Sequence, residues 1–196
     1  MAALRAVYLD FSDPPSHRVW HWLSLLPERH TVELRPYSLD TEPGETEPGE
    51  PAAGRNPWDR TTPSWSVELL ALGELARETG RGAHERFVDA AFAAVHESRP
   101  DLSSMEGWLE ICAHAGLDLQ AYVADSDRWR AEVGLWHQEA EDELGITGVP
   151  SLLFDNDQTL FVRIDQRIAD ATSARRLLAD LSDLAAQPVE EVRRTD

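Results

Sequence analysis

Between Ser64 and Leu144 the sequence runs for about eighty residues in helical periodicity without one strand-like stretch, while strand-like stretches lie on both sides of it. A segment of that length is too long for an ordinary crossover, so it reads as a helical insertion in an α/β fold. Ser64 or Ser66 caps a first helix, with Val67, Leu70 (or Leu69) and Leu75 inward and Gly80 as its stop. Gly82 and Ala83 open a second, whose stripe is Phe87, Ala91, Ala94 and Val95. Helices are also predicted from about Ser104 to Gly116, from Asp118 over a short LQAYVAD, and from Asp125 onward, the last with Trp129, Val133, Trp136 and Ala140 inward.

Ahead of that block, Val7 to Phe11 reads as a short buried strand, and Ser12 and Asp13 form a turn. Asp13 suits a helix N-cap, Pro14 suits the first helical position, and Val19, Trp22, Leu23 and Leu26 repeat at helical spacing. Thr31 to Leu39 reads as a second strand that Pro36 confines to an edge. Strand, helix and strand make a βαβ unit with parallel strands. Beyond the block come a strand over 151–154, a turn over 155–158, an antiparallel strand over 159–164 and a helix over about 169–185. The order β-α-β, helical block, β-β-α is an α/β thioredoxin fold with an all-helical inserted domain. The expected divisions are 1–40 and 145–188 for the thioredoxin-fold parts, 64–144 for the insertion, 41–63 for a flexible acidic loop carrying a TEPGE repeat, and 189–196 for a charged tail.

Charge and residue usage narrow the function. With 18 basic and 36 acidic residues the formal charge is −18, which repels a nucleic-acid backbone or an anionic membrane face. All the basic residues are Arg, so no Schiff-base lysine exists. No apolar run reaches about 18 residues and the N-terminus lacks a signal-peptide pattern, so the expectation is a cytoplasmic protein. Cys112, the single cysteine, falls on a helical inner face with Trp108 and Leu109 and reads as a buried inert thiol.

The strand-to-helix junction at DFSDPPS is the natural place for a site, because a helix start carries orphan N–H groups and about half a positive charge that favour a thiolate, phosphate or carboxylate. Together with AEDELGITGVPSLLF and the closing hairpin and helix, it resembles the DsbA-like thioredoxin-fold family. Within that family, it is most similar to the branch of FrnE-type oxidoreductases, 2-hydroxychromene-2-carboxylate isomerases and kappa-class glutathione transferases. The resemblance spans the chain apart from the acidic loop. It implies a cis Val149–Pro150 bond, with the Val149 backbone pairing to a thiol cofactor or an extended peptide beside the first helix. Where redox members carry Cys-Pro-x-Cys, this chain has Asp13-Pro14-Pro15-Ser16, and without a thiolate it has no means of disulfide exchange.

Three readings follow. The first is a redox-inactive relative that keeps a groove formed by Asp13 to His17, Val149 and Pro150 for a peptide-like ligand or a small thiol. The second is an isomerase or transferase dependent on mycothiol or glutathione, in which Ser16 or His17 contacts the thiol, since a carboxylate at Asp13 accepts only and repels a thiolate. The third places Asp13, His17 and His21 on one helical face, as a site for zinc or another divalent ion or as an acid–base pair. Two histidines on the outer face of a helix are more often solvated or packed under a neighbour, so no metal is assigned. His30, His84, His96, His114 and His137 have no informative spacing, though the helix of His137 could fold over the site. Trp20 is expected in the core, with a pocket between domains as its alternative. A homodimer is left open.

Overall fold

The computed structural model describes residues 2–40, 56–102 and 104–187. The TEPGE repeat and the charged tail lie outside the described residues.

Four strands form one mixed sheet: β1 (Leu4–Leu9), β2 (Glu33–Pro36), β3 (Ser151–Phe154) and β4 (Thr159–Phe161), in the order β2-β1-β3-β4. β1 and β2 are parallel, and β3 is antiparallel to both β1 and β4. Pro36 therefore lies on an edge strand, where a missing N–H costs no ladder bond. Helix α1 (Pro14–Ser24) joins β1 to β2 through a 3-10 turn at Pro27–Thr31. The insertion is α2 (Trp65–Thr79), α3 (Arg81–Ala93), α4 (Met105–Ala115), α5 (Leu119–Ala124) and α6 (Ser126–Gln138), and α7 (Ala171–Ala185) closes the described chain. This is an α/β thioredoxin fold with a helical insertion.

Several boundaries differ from the sequence expectation for local reasons. β1 starts and ends earlier than Val7–Phe11, because the chain turns at Asp10, whose carbonyl accepts the Asp13 N–H at 3.2 Å. β2 is shortened because Pro27 opens the 3-10 turn ahead of it. β4 stops at Phe161, so the predicted strand end at Ile164 is loop. α3 and α6 run on as π-helical turns at Ala94–Ser98 and Glu139–Glu143. The expected Ser64 cap forms, its hydroxyl accepting from the Val67 N–H, and Gly80 ends α2 at φ 134°, backbone that glycine adopts without a side-chain clash.

Alternation along β1 sets the two faces of the sheet. Val7 and Leu9, with Leu152 and Phe154, face a core built from Val19, Trp22 and Leu23 of α1, Ala174 of α7, and α2 and α3. Ala6 and Tyr8, with Leu153, face Tyr37, Ala140, Ile146 and Val149. The end of α6 covers that second face through Arg35, which donates to Tyr8 Oη at 2.8 Å and Glu139 Oε1 at 2.9 Å and lies 4.5 Å from the Trp136 ring centroid.

Candidate functional site

Strand direction brings the sequence-predicted residues to one end of the sheet. β1 leaves that end toward α1, and β3 enters from it, with Ser151 opposite Tyr8 in the ladder. Pro150 and Val149 therefore precede β3 at the level where Asp10 to His17 follow β1. β2 leaves at the same end, and its exit is tied to the junction by Leu39 N–H donating to Asp10 Oδ2 at 2.7 Å.

A complete account of the amides at the head of α1 changes the chemistry expected there. Pro14 and Pro15 carry no N–H, the Asp13 N–H donates to Asp10, and the Ser16 N–H donates to Asp13 Oδ2 at 2.8 Å. No amide is left to hold a thiolate or phosphate, so the expectation of an anion site at this helix start is corrected. Ser16 is also committed: it is fully buried and its hydroxyl donates to the same Asp13 oxygen at 2.7 Å. Asp13 is only 8% exposed, and Pro14 is the exposed member of the turn. Asp13 and Ser16 thus satisfy one another.

Behind the pair lies Asp10, which the sequence reading did not single out. It is fully buried and accepts from the Ser12 N–H and hydroxyl, both at 2.7 Å, besides Leu39. Burial pushes its carboxyl above the ordinary aspartate range against the pull of these donors. A lone Asp at a strand end carries no sequence signal that separates it from a turn former.

His17 does not face Asp13 as an acid–base partner. Its ring stacks on His96 at 4.8 Å and on Phe92 at 5.4 Å, both from the insertion, and His96 Nε2 lies 2.8 Å from the Phe11 carbonyl. His96 was unreadable from spacing because 79 positions separate it from His17 and only the tertiary fold joins them. Glu97 lies 3.9 Å from His17 Nε2 but pairs with Arg167 at 3.2 Å. Burial, with the neighbouring His96, Arg167 and His21 acting in the same direction against Glu97, lowers His17 to about 4. Because 6.5 is its ordinary value, the unfolded chain takes up the proton first as pH falls, so this stability is complete above about 6.5 and is lost on the way down to 4. His17→Gln is expected to flatten that part of a urea-midpoint profile against pH, and an unchanged slope would show that His17 is as solvated as in the open chain.

Among the described residues no group of three His, Cys, Asp or Glu has the geometry to hold a metal. Asp13 is turned onto Ser16, and His21, although on the same helix face as His17, leaves its buried Nδ1 without a hydrogen-bond partner. Cys112 is buried in the insertion, and burial raises its thiol to about 11, which leaves it protonated and inert near neutral pH. Trp20 is a core residue whose indole N–H donates to Asp89 at 2.7 Å. The helix of His137 lies against the exit of β2: its ring stacks on Tyr37 at 4.1 Å, and Nδ1 accepts the Ser38 N–H at 3.2 Å.

On the other side of the junction, Val149–Pro150 is cis and both residues are buried. The Ser151 hydroxyl donates to the Gly148 carbonyl at 2.7 Å, and among the described residues no hydrogen bond engages the Val149 amide or carbonyl. Phe161 on β4 lies opposite Ser151 with 58% of its surface exposed, close enough that a Cβ on Gly148 would meet its ring at 3.7 Å. The sequence showed Phe161 as a strand residue and nothing more.

Solved structures carry the same architecture. A probable DsbA oxidoreductase from Streptomyces coelicolor superposes with a TM-score of 0.62 at 21% identity over 97% of this chain and 93% of that one. The fold is DsbA-like. SrgA of Salmonella enterica serovar Typhimurium matches at TM-score 0.53 and 15% identity over 95% and 94% of the two chains, and reduced DsbL at 0.51 and 14% over 93% and 90%. No protein-family model and no curated protein matches the sequence. Within the DsbA-like fold the Asp13–Ser16 pair stands where the sequence resemblance puts a dithiol. No helix among the described residues is long and apolar enough to cross a membrane.

Proposed function

We propose that this chain is a redox-inactive DsbA-like protein that binds an extended, peptide-like ligand beside Pro14, the Gly148–Pro150 loop and Phe161. The Asp13–Ser16 hydrogen bond carries the reading: two residues that would exchange electrons as cysteines satisfy each other, and no amide remains for a thiolate. The unengaged Val149 backbone suits an extended chain that lays its own N–H and C=O alongside, and Phe161 offers an exposed ring for one of its side chains.

A thiol-dependent isomerase or transferase is the second reading, and His17 is what favours it. Its imidazole is neutral near pH 7 and 18% of the side chain is exposed, so it can accept a hydrogen bond from a thiol S–H where Ser16 has no hydroxyl to offer. Mycothiol and glutathione are the cofactors it would take.

Three measurements separate the readings. Insulin reduction is expected to run at the buffer rate, and turnover above it would overturn redox inactivity. Carboxymethylated insulin B chain is expected to bind in anisotropy titrations, with Phe161→Ala weakening it at least about fivefold, the weight of a partly buried aromatic contact. Mycothiol or glutathione is expected to leave the melting temperature unchanged. A thiol-induced rise that His17→Ala removes would replace the peptide reading with the enzyme reading.

A further inference from the structure

Helices α3 and α4 border a half-open cleft of about 410 Å³, within the size range of small-ligand sites. None of its lining residues belongs to the helix-head site. Ala90 and Ala93 leave the α3 wall low, and Pro100 and Ile111 complete an apolar lining. The π-helical turn Ala94–Ser98 and the left-handed Arg99, at φ 49°, carry the chain round so that Pro100 becomes the second wall. Widened helical turns of this kind recur at functional sites.

The polar lining is Asp89, Glu110, Arg86, Ser98 and His114, with two carboxylates against one guanidinium. Asp89 is fixed by the Trp20 indole N–H at Oδ1, and no hydrogen bond among the described residues engages its second oxygen. Glu110, facing from α4, has neither hydrogen bond nor ion pair among the described residues. The one guanidinium of the lining, Arg86, is held by the Ala115 carbonyl at 2.9 Å. Two carboxylates with open acceptor sites over an apolar floor, in a chain of charge −18, select a positive ligand. We propose that this cavity binds a small organic ammonium compound, its apolar body on the alanine floor and its cationic nitrogen between Asp89 and Glu110.

The test is calorimetric titration of the full chain with phenethylamine and with 3-phenylpropionate, a probe of similar body and opposite charge. Phenethylamine is expected to bind saturably and at least tenfold more tightly than the carboxylate. Glu110→Gln, an isosteric change at an exposed position, is expected to cut that preference to threefold or less. Ala93→Phe, which fills the cavity, is expected to abolish binding while circular dichroism shows the helices intact. Equal binding of the two probes, no saturable binding of phenethylamine, or a preference that Glu110→Gln leaves intact would each overturn the assignment. Because the readout never touches the α1 head, its failure is separable from failure of the peptide reading.

Discussion

Asp13→Cys combined with Ser16→Cys is expected to accelerate insulin reduction by at least about tenfold over the native chain, which is itself expected to run at the buffer rate. The two side chains already meet at 2.7 Å across the first helical turn, so the sulfurs would replace groups that point at one another. The Ser16 amide, now spent on the Asp13 carboxylate, would be released to the thiolate introduced at the cap position. One amide plus the helix dipole moves a thiol from about 8.5 to about 7, which raises the thiolate fraction at pH 7 from a few per cent to about half, roughly fifteenfold. The shift stops there because Pro14 and Pro15 supply no further N–H. Loss of the Asp13 cap costs about 0.5–2 kcal/mol, which a domain of this size tolerates. Either single variant is expected to stay at the buffer rate, since exchange needs both an attacking and a resolving thiol. A folded double variant whose thiols titrate but do not turn over would show that the α1 head is not an exchange position, and the account of the native pair would fall with it.

How much of this was legible in advance divides by sequence distance. The βαβ opening, the insertion and the closing hairpin were legible because each rests on periodicity or on caps a few residues apart, such as Ser64 with Val67 and Asp13 with Ser16. The convergence of Asp13 with Val149 and Pro150 was legible only through the fold, since strand order puts both at one end of the sheet. The state of the helix head was half legible: two prolines in a row announce missing amides, but the Asp13 carboxylate closing onto Ser16 rather than solvent is a matter of rotamer and burial. His96, Phe92 and Phe161 were not legible as site residues. Phe92 and His96 lie outside the predicted stripe of their helix and carry no signal until the insertion folds back onto α1, and Phe161 gains meaning only by its exposure beside Gly148. Asp10 was hidden for a related reason: a carboxylate at a strand end reads as a turn, and only the Leu39 amide arriving from β2 makes it a buried junction.

Trp22→Ala is expected to be among the most destabilising single changes in the chain, costing about 3–5 kcal/mol. Trp22 is the largest of the fully buried side chains, and its indole N–H donates to the Ala174 carbonyl at 3.0 Å, so one residue fills the layer between the sheet and α1 and latches α1 to α7. Truncation leaves a cavity and an acceptor without its donor, and both costs fall on a total stability of about 5–15 kcal/mol. At about 2–4 °C per kcal/mol for a chain of this length, the melting temperature should fall by about 6–20 °C, with the urea midpoint lowered and its m-value unchanged. Trp22→Phe keeps most of the volume and loses the donor, and is expected to cost about 1–2 kcal/mol, which separates the packing share from the hydrogen bond. Phe161→Ala, at an exposed ring, is expected to stay within about 0.5 kcal/mol. If Trp22→Ala proved as mild as Phe161→Ala, α1 would not be seated on the sheet as described, and Asp13 and Ser16 would have no fixed position from which to face Val149 and Pro150. A large cost at Trp22 with peptide binding lost in parallel would instead tie the ligand surface to the seating of α1, because Trp22 lies two turns from the helix head and reaches the ligand only through the helix that carries it.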